Sequence, residues 1–189
     1  MKPHKPAGPV NMYYIAHVLP PELDTPIQRI KEDLHQRFGC AVGLKSPAHI
    51  TLLPPFWLAP DKEPLLRSDL KQLAARIAPF PLHTKGFDSF GKRTFFVALE
   101  DSAALQQLKV QADDLFTGNP AFGLKKEVRP FHPHVTLATR DIKPSDFVAA
   151  WNLYQDQQLV DTWQANTVSL LRHNGRKWDV VATEGFGGS

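Results

Sequence analysis

The stretch His49-Ile50-Thr51-Leu52 has a near copy in the second half of the chain, His134-Val135-Thr136-Leu137. Each copy reads histidine, β-branched aliphatic residue, threonine, leucine. Because successive side chains of a strand point to opposite faces, the histidine and threonine of each copy share one face. The aliphatic residue and the leucine share the other. The motif therefore predicts two strands, each with a polar face suited to proton transfer and an apolar face that packs in a core.

The repetition of the motif favours a functional cleft. One histidine two positions before a threonine is unremarkable in a chain with eight histidines. Two copies that agree at all four positions are much rarer by chance. The alternative is a pair of buried strands whose histidines bond only to the backbone. We expect instead that the two strands line one cleft with two imidazoles and two hydroxyls.

The predicted elements follow each other in an order that loosely repeats. Hydrophobic periodicity gives the elements, and proline and glycine mark their ends. The predicted strands cover residues 12–19, 41–44, 49–53, 80–90, 94–99, 134–139, 159–172 and 178–184, and the predicted helices cover residues 23–38, 62–78, 101–117 and 143–154. The two histidines stand 85 positions apart (134 − 49), nearly half of the chain. This spacing indicates two related lobes that share one cleft.

Composition is typical of a globular protein without membrane spans. The chain has 189 residues, of which 42% are hydrophobic and 22% charged. We expect one domain over residues 1–189, with loose tails at residues 1–10 and 185–189. The apolar runs are too short to cross a bilayer, and the N-terminus lacks the apolar stretch of a secretory signal. The single cysteine, Cys40, excludes an internal disulfide, and we expect a cytoplasmic monomer.

Two imidazoles that face one phosphorus centre suit general acid–base chemistry near neutral pH. One imidazole, neutral, takes a proton from water or a ribose hydroxyl, and the other, protonated, gives a proton to the departing oxygen. Threonine hydroxyls donate to the non-bridging phosphate oxygens, where charge develops. This chemistry requires neither a metal nor a cofactor, and the mildly basic net charge of +3 suits a phosphate-bearing substrate.

The paired motifs resemble those of the two-histidine phosphoesterase superfamily, specifically its 2′-5′ RNA ligase-like (cyclic phosphodiesterase) group. The resemblance is specific at His49, Thr51, His134 and Thr136, and extends loosely over most of the chain. It implies a bilobal α+β fold, with two antiparallel sheets flanking a central cleft and helices outside. It also implies opening of 2′,3′-cyclic phosphates on RNA ends or small cyclic nucleotides, usually to the 2′-phosphate. Some members of the group join RNA ends through 2′-5′ linkages.

The resemblance also implies roles for the motif residues. His49 would be the general acid and His134 the general base for hydrolysis, with the roles exchanged for ligation. Thr51 and Thr136 would hold phosphate. Members of the group often carry a basic residue just after the second motif, whereas Arg140 follows His134 by six positions.

Other residues near the motifs have two interpretations each. Phe56, Trp57 and Phe131 suit stacking on a nucleobase or packing in the core. His132 suits a hydrogen bond to the motif or, with His49 and His134, a metal site. A cluster of cations before the second motif suits phosphate steering or plain exposure to solvent: Lys125, Lys126 and Arg129.

Three further functions compete with cyclic-phosphate hydrolysis by two histidines. The first is metal-dependent hydrolysis at His49, His132 and His134. The second is a non-catalytic module that binds RNA or nucleotides in the cleft. The third is hydrolysis of another small phosphoester or an unrelated ester. Sensitivity to chelators, histidine-to-alanine substitutions and a substrate panel distinguish these functions.

Overall fold

The computed structural model describes residues 8–157 and 159–187. Over this part of the chain, eight strands and four α-helices form. The strands are β1 (Asn11–Val18), β2 (His49–Leu58), β3 (Phe80–Phe90), β4 (Thr94–Leu99), β5 (His134–Thr139), β6 (Thr162–Ala165), β7 (Thr167–His173) and β8 (Trp178–Gly185). The helices are α1 (Pro21–Phe38), α2 (Glu63–Ala74), α3 (Ala103–Gly118) and α4 (Pro144–Tyr154). The α+β class expected from the sequence is confirmed.

The strands form one antiparallel sheet in the order β6-β3-β4-β5-β2-β1-β7-β8. Two separate sheets flanking a cleft were expected, and the described residues do not confirm them. The reason is that the motif strands β2 and β5 pair with each other at the centre, with Ile50 opposite Val135. Four strands lie on each side of the junction between β2 and β5, so the sheet is continuous from one lobe to the other.

The predicted duplication is visible in two units. The units β1-α1-β2 and β4-α3-β5 have the same order, and each ends in a motif strand. The outer strands do not follow the chain order. β7 and β8 come late in the chain but extend the β1 side, and β6 pairs with β3 at the opposite edge. The predicted strand 159–172 is therefore two strands that lie in different halves of the sheet.

The helices pack on the apolar face of the sheet, opposite the motif histidines. Helix α3 contacts β2, and helix α1 contacts β5. One continuous core fills the space between sheet and helices and includes Ile50, Leu52 and Val135, each no more than 1% exposed. No described helix combines the length and the apolar character that a membrane crossing needs.

Two local predictions near the first motif are wrong. Strand β2 does not end at Pro54 but continues to Leu58. Pro54 and Pro55 are exposed and lie where the pairing register between β2 and β1 shifts. Because the ladder of hydrogen bonds is interrupted there, the missing N–H groups of the prolines leave no bond unmade. Residues 41–44 do not form a strand; a single 3-10 turn, Gly43–Lys45, leads into the motif instead.

The predicted tails fall partly outside the described residues. Residues 1–7 and 188–189 are not described. The preceding C-terminal residues are attached to the fold rather than loose. The Phe186 N–H donates to the Asn166 carbonyl (2.8 Å), and the Gly187 N–H donates to the Ala74 carbonyl (3.1 Å). The Phe186 ring also stacks on Phe80 with ring centroids 6.1 Å apart.

Candidate active site

The four motif side chains share one face of the sheet, as the alternation predicts. His49, Thr51, His134 and Thr136 are partly exposed, whereas the residues between and after them are buried. The antiparallel register that sets Ile50 opposite Val135 puts the His49 position beside that of Thr136, and the Thr51 position beside that of His134. The two central strands thus bring both imidazoles and both hydroxyls together.

Each motif histidine is held by the backbone carbonyl two residues before it. His49 Nδ1 lies 2.8 Å from the Pro47 carbonyl oxygen, and His134 Nδ1 lies 2.7 Å from the His132 carbonyl oxygen. A carbonyl oxygen only accepts hydrogen bonds, so Nδ1 carries the hydrogen in both rings. Within the described chain, neither Nε2 has a hydrogen-bond partner. Nε2 is therefore the atom that each ring offers for proton transfer.

Burial keeps both imidazoles neutral at pH 7. Desolvation lowers the pKa of His49 to about 4; the Pro47 carbonyl and Asp24 oppose this effect, while Lys31 and His134 reinforce it. Desolvation also lowers the pKa of His134, against the stabilising bond to the His132 carbonyl. Because both imidazoles favour the neutral form, the unliganded site has two bases and needs a bound anion to make one of them an acid.

The motif threonines are available to a ligand. Among the residues that the structure describes, the hydroxyls of Thr51 and Thr136 make no hydrogen bond within the protein. Each stands beside a histidine of the other motif and is only partly buried. Two unsatisfied hydroxyl donors beside two imidazoles suit the non-bridging oxygens of a phosphate group.

An aromatic group adjoins His49 that the sequence interpretation missed. The Tyr14 ring lies 4.9 Å from the His49 ring, and its hydroxyl is 3.5 Å from His49 Nδ1. Trp178 packs edge-on against Tyr14 at 4.5 Å, and His173 packs against Trp178 at 5.0 Å. The nearly continuous apolar sequence of β1 hides which of its residues face the cleft, and Trp178 reaches the site only through the pairing of β7 with β1.

A second aromatic group surrounds His134. The Phe90 ring stands edge-on to His134 and to His132, 5.0 Å from each, and is 41% exposed. Phe96 lies 4.9 Å from His134 and is fully buried beneath it. Each motif histidine therefore has an aromatic wall on its outer side, and Phe90 presents the more exposed one.

Two of the three aromatic residues proposed from the sequence, Phe56 and Phe131, pack against the core. Phe56 is 6% exposed and packs against Tyr13 in the core, so core packing rather than base stacking is its role in the structure. Phe131 is partly buried against the core and lies under Lys109, whose Nζ is 5.8 Å from the ring centroid. The exposed ring of Phe90 and the half-buried ring of Trp178 are better placed to meet a base.

Two of the cations before the second motif are held in ion pairs. In the loop before β5, Lys126 pairs with Asp114 (3.0 Å) and Arg129 pairs with Glu127 (2.6 Å). Arg140 is exposed and follows the end of β5, about 13 Å beyond Thr136 at roughly 3.3 Å per residue. Exposed cations of this kind suit long-range attraction of phosphate.

The histidines near the cleft do not form a metal-binding cluster. The His132 and His134 rings are 6.3 Å apart. Over residues 8–157 and 159–187, no group of three or more His, Cys, Asp or Glu side chains is arranged to hold a metal ion. His132 instead contributes its backbone carbonyl to the orientation of His134.

Comparisons with known proteins agree with this fold. A family model described as the 2′-5′ RNA ligase superfamily matches residues 19–177. A Geobacillus stearothermophilus protein named RNA 2′,3′-cyclic phosphodiesterase is 30% identical over 138 residues, which cover 68% of this chain and 41% of that protein. The chain thus spans about two fifths of the length of this curated relative.

Solved structures of similar fold cover almost the whole chain. A Thermus thermophilus protein superposes with a TM-score of 0.64 at 20% identity, covering 94% of this chain and 99% of its own. Escherichia coli LigT in complex with 3′-AMP superposes with a TM-score of 0.65 at 17% identity, covering 94% of this chain and 99% of its own. At these sequence identities, the similarity shows a shared fold and no more.

Proposed function

The chain belongs to the 2′-5′ RNA ligase superfamily, and from that premise we propose that it is a cyclic phosphodiesterase. Its substrate is a 2′,3′-cyclic phosphate on an RNA end or a small nucleotide, and its usual product is the 2′-phosphate. The name of the Geobacillus stearothermophilus relative supports this substrate class. The protein acts as a monomer in the cytoplasm and needs no metal or cofactor for the reaction.

One observation carries the proposal. Two imidazoles lie on one face of adjacent central strands, and a backbone carbonyl fixes the same tautomer in each. The two Nε2 atoms are left for a ligand between them. A base and an acid on either side of one phosphorus atom are what in-line opening of a cyclic phosphate requires.

The reaction uses the two histidines in sequence. His134 Nε2 takes a proton from water as the water oxygen attacks phosphorus. The bond from phosphorus to the ribose 3′ oxygen breaks, and His49 Nε2 gives its proton to that oxygen, which leaves a 2′-phosphate. Thr51 and Thr136 donate hydrogen bonds to the non-bridging oxygens as their charge increases. Each proton transfer contributes about 10²–10⁴-fold in rate.

The negative charge of the bound phosphate raises the pKa of His49, as its role as general acid requires. His49 must be protonated to act as the acid, yet its pKa is about 4 in the unliganded protein. One phosphate charge about 4 Å away contributes about 4 kcal/mol at an effective dielectric constant of about 20. That energy raises the pKa by about three, to near neutrality. Substrate binding and protonation of His49 are therefore coupled.

Aromatic side chains give the site its preference for nucleotides. Phe90 and Trp178 lie on opposite sides of the histidine pair. The Phe90 ring contacts His134, and the Trp178 ring contacts Tyr14 beside His49. Stacking of a base on such a ring contributes about 1–3 kcal/mol. The same two histidines, with exchanged roles, serve the reverse reaction, in which a ribose hydroxyl opens the cyclic phosphate and forms a 2′-5′ linkage.

A product analysis tests the proposal. The protein is incubated in chelator with each 2′,3′-cyclic nucleotide and with an RNA oligomer that ends in a cyclic phosphate, and the products are separated by chromatography. The expected product is the 2′-phosphate. Activity that depends on added metal would favour the metal-dependent alternative. Tight nucleotide binding without turnover would favour the binding module, and turnover of other phosphoesters alone would change the substrate class.

A further inference from the structure

Two buried lysines lie on corresponding helices of the duplicated units. Lys31 lies in α1 of the unit β1-α1-β2 and is 2% exposed; Lys109 lies in α3 of the unit β4-α3-β5 and is 7% exposed. Each contacts the residue three positions before the motif histidine of its own unit. Lys31 Nζ donates to the Ser46 carbonyl (3.1 Å), and Lys109 Nζ lies over the Phe131 ring. Burial of a lysine is costly, so both positions need a reason.

Lys31 belongs to a set of polar side chains that fixes the approach to His49. Gln28 Nε2 also donates to the Ser46 carbonyl (3.4 Å), and the Ala48 N–H donates to Asp24 Oδ1 (2.6 Å). These bonds hold the backbone on both sides of Pro47. The Pro47 carbonyl in turn accepts the bond from His49 Nδ1. Lys31 thus acts on His49 through the backbone that orients it.

The two lysines differ in how their charge is compensated. Lys109 forms an ion pair with Asp113 one turn along α3, and Asp113 is itself buried. No carboxylate in the described chain lies within ion-pair distance of Lys31. Its nearest acidic influence is Asp24, whose Oδ1 is occupied by the Ala48 N–H and the Gln28 side chain. Lys109 therefore has an ion-pair partner, whereas the only acidic group that acts on Lys31 among the described residues is Asp24, which lies beyond ion-pair distance.

We propose that Lys31 is a positioning residue that also makes the two equivalent histidines unequal. It holds the Ser46 carbonyl, one residue before the Pro47 carbonyl that orients His49, and its charge, which has no carboxylate within ion-pair distance among the described residues, adds to desolvation in opposing protonation of His49 until an anion binds between the motifs. The ion-paired Lys109 has no such effect on His134. The catalytic consequence rests on the proposed function: His49 is the general acid there, so a charge that opposes its protonation makes the acid form depend on the bound phosphate.

The other ionisable groups that face His49 do not replace this effect. Tyr14 of β1 is neutral, since burial raises the pKa of its hydroxyl. His134 of β5 is neutral at pH 7, since burial lowers its pKa. Asp24 of α1 acts in the opposite direction and raises the pKa of His49. Lys31 remains charged at pH 7, although burial lowers its pKa to about 8.

An NMR titration of the histidine rings tests the proposal without any substrate. In Lys31→Met the midpoint of His49 should rise by about one pH unit, because a nearby like charge is removed. Lys31→Arg keeps the charge and should leave the midpoint low. Lys109→Met is the matched control: it should leave His49 unchanged. The midpoint of His134 should stay the same in the Lys31 variants.

A second variant, which removes a negative charge instead of a positive one, should shift the His49 midpoint in the opposite direction. It also keeps the proposal testable if Lys31→Met does not fold. Asp24→Asn keeps an oxygen for the Ala48 N–H but removes the negative charge, so the midpoint of His49 should fall further. An unchanged His49 midpoint in folded Lys31→Met, or a rise in Asp24→Asn, would overturn the proposal. Because the titration needs no turnover, failure to find cyclic phosphodiesterase activity would refute the proposed function and leave this test intact.

Discussion

Gly43 packs against β5 so closely that a Cβ at this position would lie 2.0 Å from the Leu137 carbonyl oxygen. Gly43 is in the turn that leads into the first motif, and Leu137 ends the second. The approach to one motif thus rests directly on the backbone of the other. Contact of this kind between backbone atoms cannot be relieved by rotating a side chain.

Gly43→Ala should destabilise the protein by about 1–3 kcal/mol, because either the turn or β5 must move to admit the methyl group. The free energy of unfolding from denaturant titration measures this effect. Gly118→Ala is the control, since a Cβ there meets no atom within 4 Å and its φ lies outside the left-handed region. A Gly43→Ala variant as stable as the wild type would show that the close contact is absent.

The motif threonines should matter for turnover but not for folding. Thr51→Val and Thr136→Val each remove one donor to a charged oxygen, and each should lower kcat/KM by about 10- to 100-fold. Thr25→Val, which removes an exposed hydroxyl on α1 that bonds the Pro21 carbonyl, is the control. Unchanged kinetics in both motif variants would remove the threonines from the phosphate site.

Removal of the aromatic rings beside the two histidines should weaken recognition of the base. Phe90→Leu and Trp178→Leu should each raise KM for a cyclic nucleotide by about 5- to 100-fold, which corresponds to the energy of one stacked base. A cyclic ribose phosphate without a base is the matched substrate and should react equally with wild type and variants. Equal losses on both substrates would mean that the rings support the histidines rather than the base.

The pKa of His49 predicts how stability depends on pH. The unfolded chain takes up a proton on this histidine near pH 6.5, whereas the folded protein does so only near pH 4. Protonation of His49 therefore has little effect on the free energy of unfolding above pH 6.5. It lowers that free energy by about 3 kcal/mol as the pH falls from 6.5 to 4. His49→Gln removes this titration. The free energy of unfolding of the wild type minus that of His49→Gln should therefore fall by that amount between pH 7 and 4. A constant difference would contradict a depressed pKa.

The sequence predicted what depends on local pattern. Alternation in the two motifs placed both histidines and both threonines on one face, and the ranges of β3 and β4 agree with the predicted hairpin at 80–90 and 94–99. Gly39, directly after the predicted helix 23–38, ends α1 in the left-handed conformation that favours glycine.

The errors arose where distant parts of the chain determine the outcome. Pro54 was expected to end β2, but a register shift against β1 accommodates it. The division of residues 159–172 into β6 and β7 depends on pairing with β3 and β1, which no local window contains. For the same reason, Phe90 reached the site unpredicted, whereas Phe56 lies in the core.

Turnover of an RNA oligomer with a 2′,3′-cyclic phosphate end by wild type, His49→Ala and His134→Ala, in chelator, tests the central claim most directly. His83→Ala, which alters a half-buried histidine that bonds Thr162 on the edge strand β6, is the control. The account predicts a 2′-phosphate product with wild type and control, and a loss of at least about a hundredfold in each motif variant. Folded motif variants that retain the wild-type rate would contradict catalysis by the two histidines.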